Sequence, residues 1–447
     1  MTTAPLSIDD RLGELLKHLG LRRAHVAGGF APNPIALARS SPDLVASMTL
    51  VCPMQLPLEP FMPSGAPLLV FFGGRGPTGL LTRETVEAFA DTSAVALRDY
   101  AGEPWSDAVA ERRGEVLAAM LAFLSAAEMR NSVDSPNGLS GGDMAGEIAE
   151  VTYRVRGSGP PLLLLPLSLA RSQWNPILPA LAERFTTIVL GGEYLGVVPV
   201  LEGRMQGGYR NVVRLVVDAA KPRPGERVLE VGCGPGAVAR WLATHLPVDN
   251  PITAVDINAY LLGEAAALSN AAGLSDRITL QECDAESLTI DSDSFDVTLS
   301  FTVMEEVDAD RMLAELVRVT RPGGRIGVIV RATDLPRFLN IELPDELKVP
   351  FLLRSVPNVG VGDRGCGDAS LYRRFVEAGL TDLQMGPQLA PDHAQRAVER
   401  MTMFTTRMAK TLPPAEARAF NTAIQRASDD GTLIFAEPYH CAVGTRS

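Results

Sequence analysis

One segment, Val228-Leu-Glu-Val-Gly-Cys-Gly-Pro-Gly236, constrains the fold of this chain more than any other. Its pattern predicts a buried parallel strand over residues 227–231 and a helix over residues 237–246. Three glycines lie in the turn between them, and their G-x-G-x-G spacing differs from the G-x-G-x-x-G of dinucleotide-binding enzymes. Glycine is needed where a turn is tight and a side chain would hold a ligand away from the backbone. The segment therefore predicts a ligand-binding turn between a strand and a helix.

Two aspartates follow the next predicted strands. Asp256 lies at the end of the apolar residues 252–256, twenty residues after Gly236, and Asp284 follows a strand over residues 278–282. A carboxylate at a strand end can accept hydrogen bonds from both ribose hydroxyls of a nucleoside. The second aspartate can accept from an adenine amino group, while the N–H of Ala285 reaches a ring nitrogen. The pattern therefore indicates a ligand that contains a nucleoside.

Two more strands complete a parallel arrangement. Residues 294–300 and 325–330 are predicted strands, and the turn Arg321-Pro-Gly-Gly324 precedes the second of them. Strands that alternate with helices form parallel sheets, whose ligands lie at the carboxyl ends of the strands. The glycine turn and both aspartates fall at such ends, so we expect them to share one site.

Residues 205–447 resemble a class I S-adenosylmethionine-dependent methyltransferase, in particular the small-molecule type that includes the quinone-biosynthesis C-methyltransferases. The similarity covers the glycine turn, both aspartates, the fourth strand and the turn before the fifth. Residues 433–436 and 441–444 are similar to the closing antiparallel strands of that fold. A dehydrogenase or another nucleotide-binding sheet is the alternative, which the glycine spacing and the acid after the third strand disfavour.

The resemblance implies an α/β fold with a Rossmann-like seven-stranded sheet, S-adenosyl-L-methionine as cofactor, and a small organic molecule as methyl acceptor. In such enzymes a tyrosine often folds over the methionine moiety, which assigns that place to Tyr209. The expected cofactor contacts are Tyr209, Glu230, Gly232, Gly234, Gly236, Asp256, Ile257, Asp284, Ala285, Ser300 and Phe301.

If the chain is a methyltransferase, as the resemblance implies, catalysis needs few residues. Methyl transfer is an in-line displacement, so the protein's main task is alignment, and a base is required only if the acceptor must lose a proton. Glu306, just past the fourth strand, is the candidate base, at a place where relatives often carry a histidine. Alternatively, Glu305 and Glu306 provide negative charge at the first turn of a helix over residues 308–320. We favour this second interpretation for Glu305.

Composition limits the remaining classes. A chain of 447 residues predicts at least two domains. The net charge of −12 argues against a nucleic-acid substrate, because no basic stripe can neutralise phosphates. The five cysteines show no paired spacing, which is typical of reduced thiols in a cytoplasmic protein. We expect that the first residues do not form a signal peptide and that no apolar run is long enough to span a membrane. The five histidines are isolated, so we predict no metal.

The first 200 residues contain elements of another sheet in an unusual order. Residues 1–130 resemble the late half of an α/β-hydrolase, with a helix at 107–124, and residues 149–200 resemble its early half. A linker rich in small and polar residues, 131–148, lies between them. The halves occur in swapped order, which predicts a circular permutation. Such permutation is tolerated when chain ends lie close together at the surface.

Hydrolase chemistry is not expected to survive in this domain. The G-x-S-x-G turn of such enzymes is replaced by Gly28-Gly-Phe-Ala-Pro32, which puts Phe30 in the place of the nucleophile. The final-strand region, through Trp105, carries no histidine, and Pro166-Leu-Ser-Leu169 replaces the usual His-Gly oxyanion segment. The remaining hydrolase-like body serves packing, homodimerisation or the shaping of a pocket, or it only adds stability. The sequence leaves these roles open.

The sequence therefore predicts a degenerate hydrolase-like domain, residues 1–200, and a methyltransferase domain, residues 201–447. The favoured function is methyl transfer to a small organic molecule. The alternative is a non-catalytic S-adenosylmethionine-binding module whose hydrolase-like body binds a partner, because binding needs fewer residues than turnover.

Overall fold

Two separate sheets organise the chain. The computed structural model describes residues 6–30, 32–53, 56, 61–63, 65–75, 92–101, 107–130, 132–134, 143–192, 194–343, 361–394, 396–398 and 413–447. It divides into two compact units, Met1–Val200 and Leu201–Ser447. Each unit contains a mixed sheet with helices packed against it, which confirms the α/β prediction. No helix in the described ranges combines the length and hydrophobicity that crossing a bilayer requires.

The first unit contains an eight-stranded sheet. Its strands are β1 (Ala24–Gly28), β2 (Val45–Val51), β3 (Leu68–Arg75), β4 (Thr92–Ala101), β5 (Met144–Ile148), β6 (Val151–Arg156), β7 (Pro161–Leu164) and β8 (Thr186–Gly191). Their order is β4-β3-β2-β1-β7-β8-β6-β5. Only β6 runs against the other described strands of this sheet. The central strands are short apolar runs buried on both faces, as parallel strands covered by helices must be.

Helices cover both faces of this sheet. They are α1 (Ile8–His18), α2 (Pro32–Ser40), α3 (Ala108–Glu111), α4 (Arg113–Arg130) and α5 (Leu178–Ala182). α1 and α2 share one apolar core, and α3, α4 and α5 share the other. The helix predicted over residues 107–124 is confirmed in part, because non-helical angles at Arg112 separate its first turn from the longer α4.

The predicted linker was also too long. Within residues 131–148, Met144–Ile148 forms β5, which pairs with β6 through a tight turn at Ala149 and Glu150. Both turn residues have positive φ, 49° and 62°, as a two-residue hairpin turn requires. Asn-Gly or Asp-Gly is the usual sequence for that turn, so Ala-Glu gave no signal of a hairpin.

The second unit contains β9 (Val228–Val231), β10 (Ile252–Asp256), β11 (Ile278–Glu282), β12 (Phe295–Phe301), β13 (Thr320–Arg331), β14 (Phe338–Leu339), β15 (Leu380–His393) and β16 (Ile434–Arg446). The order is β11-β10-β9-β12-β13-β16-β14, with β15 also paired to β16. The first five are parallel. Strand order reverses beside β9, so the crevice between β9 and β12 is the expected ligand site.

The helices with described bounds in this unit are α6 (Val198–Arg204, which begins just before the unit boundary), α7 (Gly208–Ala220), α8 (Ala237–His245), α9 (Ala259–Ala271), α10 (Ala309–Val319), α11 (Ser370–Glu377) and α12 (Pro414–Asp429). α7 and α8 pack on one face of the sheet. α10 and α11 pack on the other. Each presents apolar residues at helical spacing to the sheet.

The closing strands differ from the prediction. Residues 433–436 and 441–444 were expected in separate antiparallel strands, but both fall almost entirely within the single strand β16. The second long antiparallel strand is β15, which pairs with β16 along its length. Seven long strands and the two-residue β14 therefore make up the sheet, where seven strands were predicted.

Candidate cofactor site

The turn after β9 has the geometry that its glycines predict. Gly232, Gly234 and Gly236 have φ of 80°, 53° and 81°, in the left-handed region that other residues rarely adopt. The N–H groups of Gly232 and Cys233 donate to the carbonyl of Val255 in β10, at 2.7 and 3.0 Å. A Cβ added at Gly232 would overlap the side chain of Val303. The turn is therefore tied to β10 and cannot accept a side chain at Gly232.

Asp256 faces this turn from the end of β10. Its Oδ2 accepts a hydrogen bond from the N–H of Gly234 at 2.7 Å, and its Oδ1 accepts from Asn258 at 2.9 Å. Burial raises the pKa of this carboxyl above its ordinary value, against the lowering effect of these N–H donors. An ionised carboxylate offers about four acceptor positions, so both oxygens can still accept from ribose hydroxyls.

Glu230 lies beneath the same turn. Its side chain is 2% exposed, and Oε2 has no hydrogen-bond partner among the described residues. Burial, and then the charge of Asp256, raise the pKa of Glu230 to about 8, although Arg240 acts in the opposite direction. A buried acid without a partner is costly in a structural core, and such groups concentrate at functional sites.

The predicted adenine side of the site is open. Ile257, directly after Asp256, is 66% exposed, which is unusual for a large apolar residue in a strand-to-helix turn. Asp284 is exposed after β11 and accepts from the N–H of Glu286 at 2.8 Å, and Ala285 is buried beside it. Ile257, Asp284 and Ala285 thus follow the ends of the neighbouring strands β10 and β11, an arrangement that can accommodate an adenine base between them.

Ser300 and Phe301, at the end of β12, were both predicted to contact the cofactor, and both side chains are buried. The hydroxyl of Ser300 is fully buried and donates to the carbonyl of Val231 at 2.9 Å. This side chain therefore links β12 to β9, in contrast with the predicted cofactor contact. Phe301 is buried in the core that contains α7. The next residue, Thr302, has a φ of 59° and turns the chain across the end of the sheet.

Residues 228–324 match the family model of the methyltransferase domain. The chain is 31% identical over 148 residues to the ubiquinone/menaquinone biosynthesis C-methyltransferase UbiE of Geotalea daltonii, which covers 33% of this chain and 61% of that protein. The UbiE of Brucella abortus is 31% identical over 163 residues, with 36% and 57% covered. The second unit contains a class I S-adenosylmethionine-dependent methyltransferase domain.

Solved structures are similar over more than half of the chain. YcgJ of Bacillus subtilis is 20% identical, with 53% of this chain and 98% of that chain covered and a TM-score of 0.37. A geranyl diphosphate methyltransferase in complex with S-adenosylmethionine is 14% identical, with 56% and 91% covered and a TM-score of 0.34. The chain spans less than two thirds of the length of the UbiE relatives named above.

The residues of the methyltransferase domain fit its cofactor. A Cβ added at Gly234 would meet only Leu201 within 4 Å, at 3.7 Å, so there is space above the turn. Asp256 retains free acceptor positions, and Glu230 provides a buried negative charge once it ionises.

Tyr209 is positioned at the start of α7 in the methyltransferase domain. Its ring is buried and lies 5.0 Å, between centroids, from that of Tyr439. Its hydroxyl has no hydrogen-bond partner that meets normal geometry among the described residues, and burial raises its pKa above the ordinary range. A pocket opens beside it, lined among others by Arg204, Tyr209, Asp392, Arg396, Glu437 and Tyr439.

The two glutamates after β12 have opposite environments in the methyltransferase domain. Glu305 is completely buried, and its Oε1 accepts from the backbone N–H of Arg331 at 2.7 Å and from its Nε at 3.3 Å. Burial raises the pKa of Glu305. Glu306 is exposed, 3.7 Å from the guanidinium of Arg331. Neither lies in the first turn of α10, which begins at Ala309 with Asp308 as its N-cap, so the helix-charge interpretation of Glu305 is wrong.

Proposed function

We propose that the chain transfers a methyl group from S-adenosylmethionine to a small organic acceptor, with residues 201–447 as the catalytic domain. The main support for this proposal is the hydrogen bond from the N–H of Gly234 to the carboxylate of Asp256. It places an acid against a glycine turn at the point where the strand order reverses. The names of the UbiE relatives support a small acceptor. The net charge of −12 disfavours a nucleic acid.

The proposed mechanism relies on positioning. The cofactor supplies a methyl group on a sulfonium centre, which departs as a neutral thioether and needs no protonation. Asp256 orients the ribose, and Asp284 and Ala285 orient the adenine. The glycine turn orients the part of the ligand that crosses β9. Alignment of the reacting atoms supplies much of the acceleration in such displacements.

We further propose that Glu306 faces the acceptor. It follows the turn at Thr302 and remains exposed, so a substrate can reach it. As a base, Glu306 would accept a proton from an acceptor hydroxyl, amine or acidic carbon. The guanidinium of Arg331 lies 3.7 Å from this carboxylate.

Turnover in cell extract tests this function. We expect the purified chain to convert labelled S-adenosylmethionine to S-adenosylhomocysteine when small metabolites from the extract are supplied. Extract freed of small molecules should support no conversion, and neither should Asp256→Ala. Binding of the cofactor without conversion in any metabolite fraction would instead favour a non-catalytic binding module.

We propose separately that residues 1–200 form a hydrolase-like body whose two halves are permuted. If counting starts at β5 and continues from β8 to β1, the strands lie in the order 1-2-4-3-5-6-7-8, the order that the hydrolase resemblance implies. The halves meet where β1 pairs with β7, through His25 with Leu162 and Ala27 with Leu164. Both strands are buried on both faces, so each half would expose a central strand alone.

Cleavage of the linker tests this permutation. We expect a chain cut at a protease site inserted at Ser140 to remain associated under native conditions, because β1 and β7 pair across the cut. Size-exclusion chromatography of the cut protein reads this directly. A fragment of residues 1–135 that unfolds cooperatively as a monomer would contradict the permutation.

The geometry of the turn where a hydrolase has its nucleophile is consistent with the loss of hydrolase activity. β1 ends at Gly28 and α2 begins at Pro32, so Phe30 lies in the strand-to-helix turn. The N–H groups of Gly29 and Phe30 point to the carbonyl of Pro166, at 3.3 and 3.5 Å. This carbonyl occupies the region where an oxyanion hole would present donors.

A hydrogen-bonded serine, histidine and acid do occur together in this unit, but not at the turn that contains Phe30. Nδ1 of His25 lies 2.7 Å from the hydroxyl of Ser47, and its Nε2 lies 2.6 Å from Glu128. Ser47 and His25 are both 0% exposed and lie in neighbouring strands. Burial lowers the pKa of His25. No substrate can reach this serine, so the series serves to satisfy buried polar groups.

We expect no esterase activity from this unit. Hydrolysis of p-nitrophenyl acetate should stay at the buffer rate for the native chain and for Phe30→Ser, because a lone serine lacks its base and its oxyanion donors. Ser47→Ala is the matched control for the buried series. Turnover well above buffer that disappears in Ser47→Ala would show that the buried serine is reached by substrate.

A further inference from the structure

A tyrosine, a histidine and an aspartate of the second unit form a hydrogen-bonded triad. The hydroxyl of Tyr372, on α11, lies 2.7 Å from Nδ1 of His440 on β16, and Nε2 of His440 lies 2.7 Å from Oδ1 of Asp334. His440 is 2% exposed, whereas Tyr372 is half-buried and Asp334, three residues after β13, is exposed. The triad therefore connects a buried imidazole with the surface.

The aspartate determines which ring nitrogen carries the proton. Burial acts to raise the pKa of Asp334, but hydrogen bonds from His440 and from the N–H of Ala369 outweigh it, so this pKa lies below its ordinary value. Ionised Asp334 accepts from Nε2–H, which leaves Nδ1 of the neutral ring with its lone pair. Burial, with the nearby Cys441 and Asp334, raises the pKa of Tyr372 to about 12. The phenol therefore keeps its proton and donates it to Nδ1.

The triad lies at the carboxyl end of the parallel strands, as the glycine turn does. His440 pairs with Val330, near the end of β13. The residue before it, Ile329, pairs with Phe301, which ends β12. β12 and β16 flank β13, so they lie about 10 Å apart, which is two strand spacings. A small organic acceptor at the end of β12 can extend over that distance.

One segment contacts both the triad and the turn after β12. The N–H of Ala369 donates to Oδ2 of Asp334 at 3.1 Å. The N–H of Gly362 donates to the carbonyl of Glu305 at 2.7 Å. Glu306, the residue proposed to face the acceptor, comes next in the chain. An acceptor at Glu306 therefore lies beside the segment that leads to the triad.

We propose that Tyr372, His440 and Asp334 form a proton relay that ionises an acidic hydroxyl, that of a phenol or an enol, on the methyl acceptor. This inference rests on the proposed function. The acceptor oxygen gives its proton to the oxygen of Tyr372 while Tyr372 gives its own to Nδ1 of His440, and Asp334 stabilises the imidazolium. Imidazole and phenol have reference pKa values of about 6.5 and 10, so the relay can ionise a phenol but not the far less acidic aliphatic alcohol.

The remaining protons and electrons are accounted for. The ionised oxygen, or a carbon conjugated with it, forms the bond to the methyl carbon, and the electron pair of the sulfur–carbon bond leaves with the neutral thioether. When carbon attacks, its hydrogen passes to Glu306 as a proton and the relay returns a proton to the oxygen. When oxygen attacks, the relay releases its proton to solvent. Only Tyr372 touches the acceptor, and His440 and Asp334 are positioning residues that act through it.

Turnover by two variants tests the relay. The acceptor is the extract fraction that supports conversion of labelled S-adenosylmethionine, supplied in saturating amount. Tyr372→Phe keeps the ring, and His440→Gln keeps a donor and an acceptor but takes up no proton. Each should lower the rate roughly 100- to 10,000-fold, with KM for the cofactor unchanged. The loss should shrink as the pH rises, because the hydroxyl then ionises in water without the relay.

Tyr153→Phe is the matched control, because it removes a hydroxyl that lies 3.4 Å from another histidine, His18, in the first unit. It should turn over at the native rate. Equal rates for Tyr372→Phe and the native chain overturn the relay, and so does a loss that is the same at every pH. If the native chain turns over no fraction, the proposed function fails instead.

Nitrogen-15 NMR of the histidine rings tests the relay without any acceptor. In a protein labelled at its five histidines, the signals that His440→Gln removes should show a proton on Nε2 and none on Nδ1 at neutral pH. Tyr372→Phe should shift the Nδ1 signal of His440, because that nitrogen loses its donor. A proton on Nδ1 in the native chain would overturn the relay, since His440 could not then accept the proton of Tyr372.

Discussion

Replacing Asp256 with alanine is expected to weaken binding of S-adenosylmethionine by roughly 10- to 100-fold. Two effects contribute to this loss. The ribose hydroxyls lose a charged acceptor, which corresponds to about 1.5–3 kcal/mol. The N–H of Gly234 loses the oxygen that holds it at 2.7 Å, so the glycine turn is less well fixed. Isothermal titration calorimetry of the native chain and the variant measures the difference.

Asp276→Ala provides the control, because it removes an exposed aspartate from the same unit. Its affinity for the cofactor should equal that of the native chain. Circular dichroism must show that Asp256→Ala retains its helices. Native affinity in a folded Asp256→Ala protein would refute the assignment of the ribose site to the end of β10.

Glu230→Gln is expected to stabilise the protein without ligand, by an amount that increases with pH. Burial raises the pKa of Glu230 to about 8 in the folded chain, whereas an unfolded glutamate titrates near 4.3. Between these values the unfolded state binds fewer protons, so this group lowers the free energy of unfolding as pH rises. Glutamine does not titrate. The advantage of the variant should therefore be small at pH 5 and reach up to about 4 kcal/mol at pH 8.

Urea unfolding at pH 5, 6, 7 and 8 measures this advantage. Glu282→Gln, at the exposed end of β11, is the matched control and should give a difference that does not change with pH. A Glu230→Gln difference that stays constant from pH 5 to pH 8 would mean that Glu230 is ionised in the folded chain. The side chain would then have water or a cation beside it.

The cofactor side of the site could be predicted from sequence because its signals are local. A glycine turn and an acid at the end of the next strand require only that both strands be parallel neighbours. The acceptor side has no such rule. Glu305 is buried whereas Glu306 is exposed, and nothing in two adjacent glutamates reveals that difference.

The fold shows the same division between local and distant determinants. Apolar runs such as β9 and β10 were predicted within a residue or two, because buried parallel strands leave a continuous signal. β15 left almost none, since it contains Gly386, Pro387 and Pro391 and is largely exposed. Proline is tolerated there because one side of the strand has no described ladder partner. Its pairing with β16 over fourteen residues is a tertiary effect.

The pairing of β1 with β7 has a consequence for synthesis on the ribosome. β7 follows β1 by roughly 140 residues, which take about 7–30 s to translate at 5–20 residues per second. During that interval β1, which is buried along its whole length in the folded chain, has one unpaired edge, the kind of edge on which chains aggregate. We expect nascent chains to need protection by a chaperone over this interval. The order of these strands in the sequence thus determines when the sheet can close.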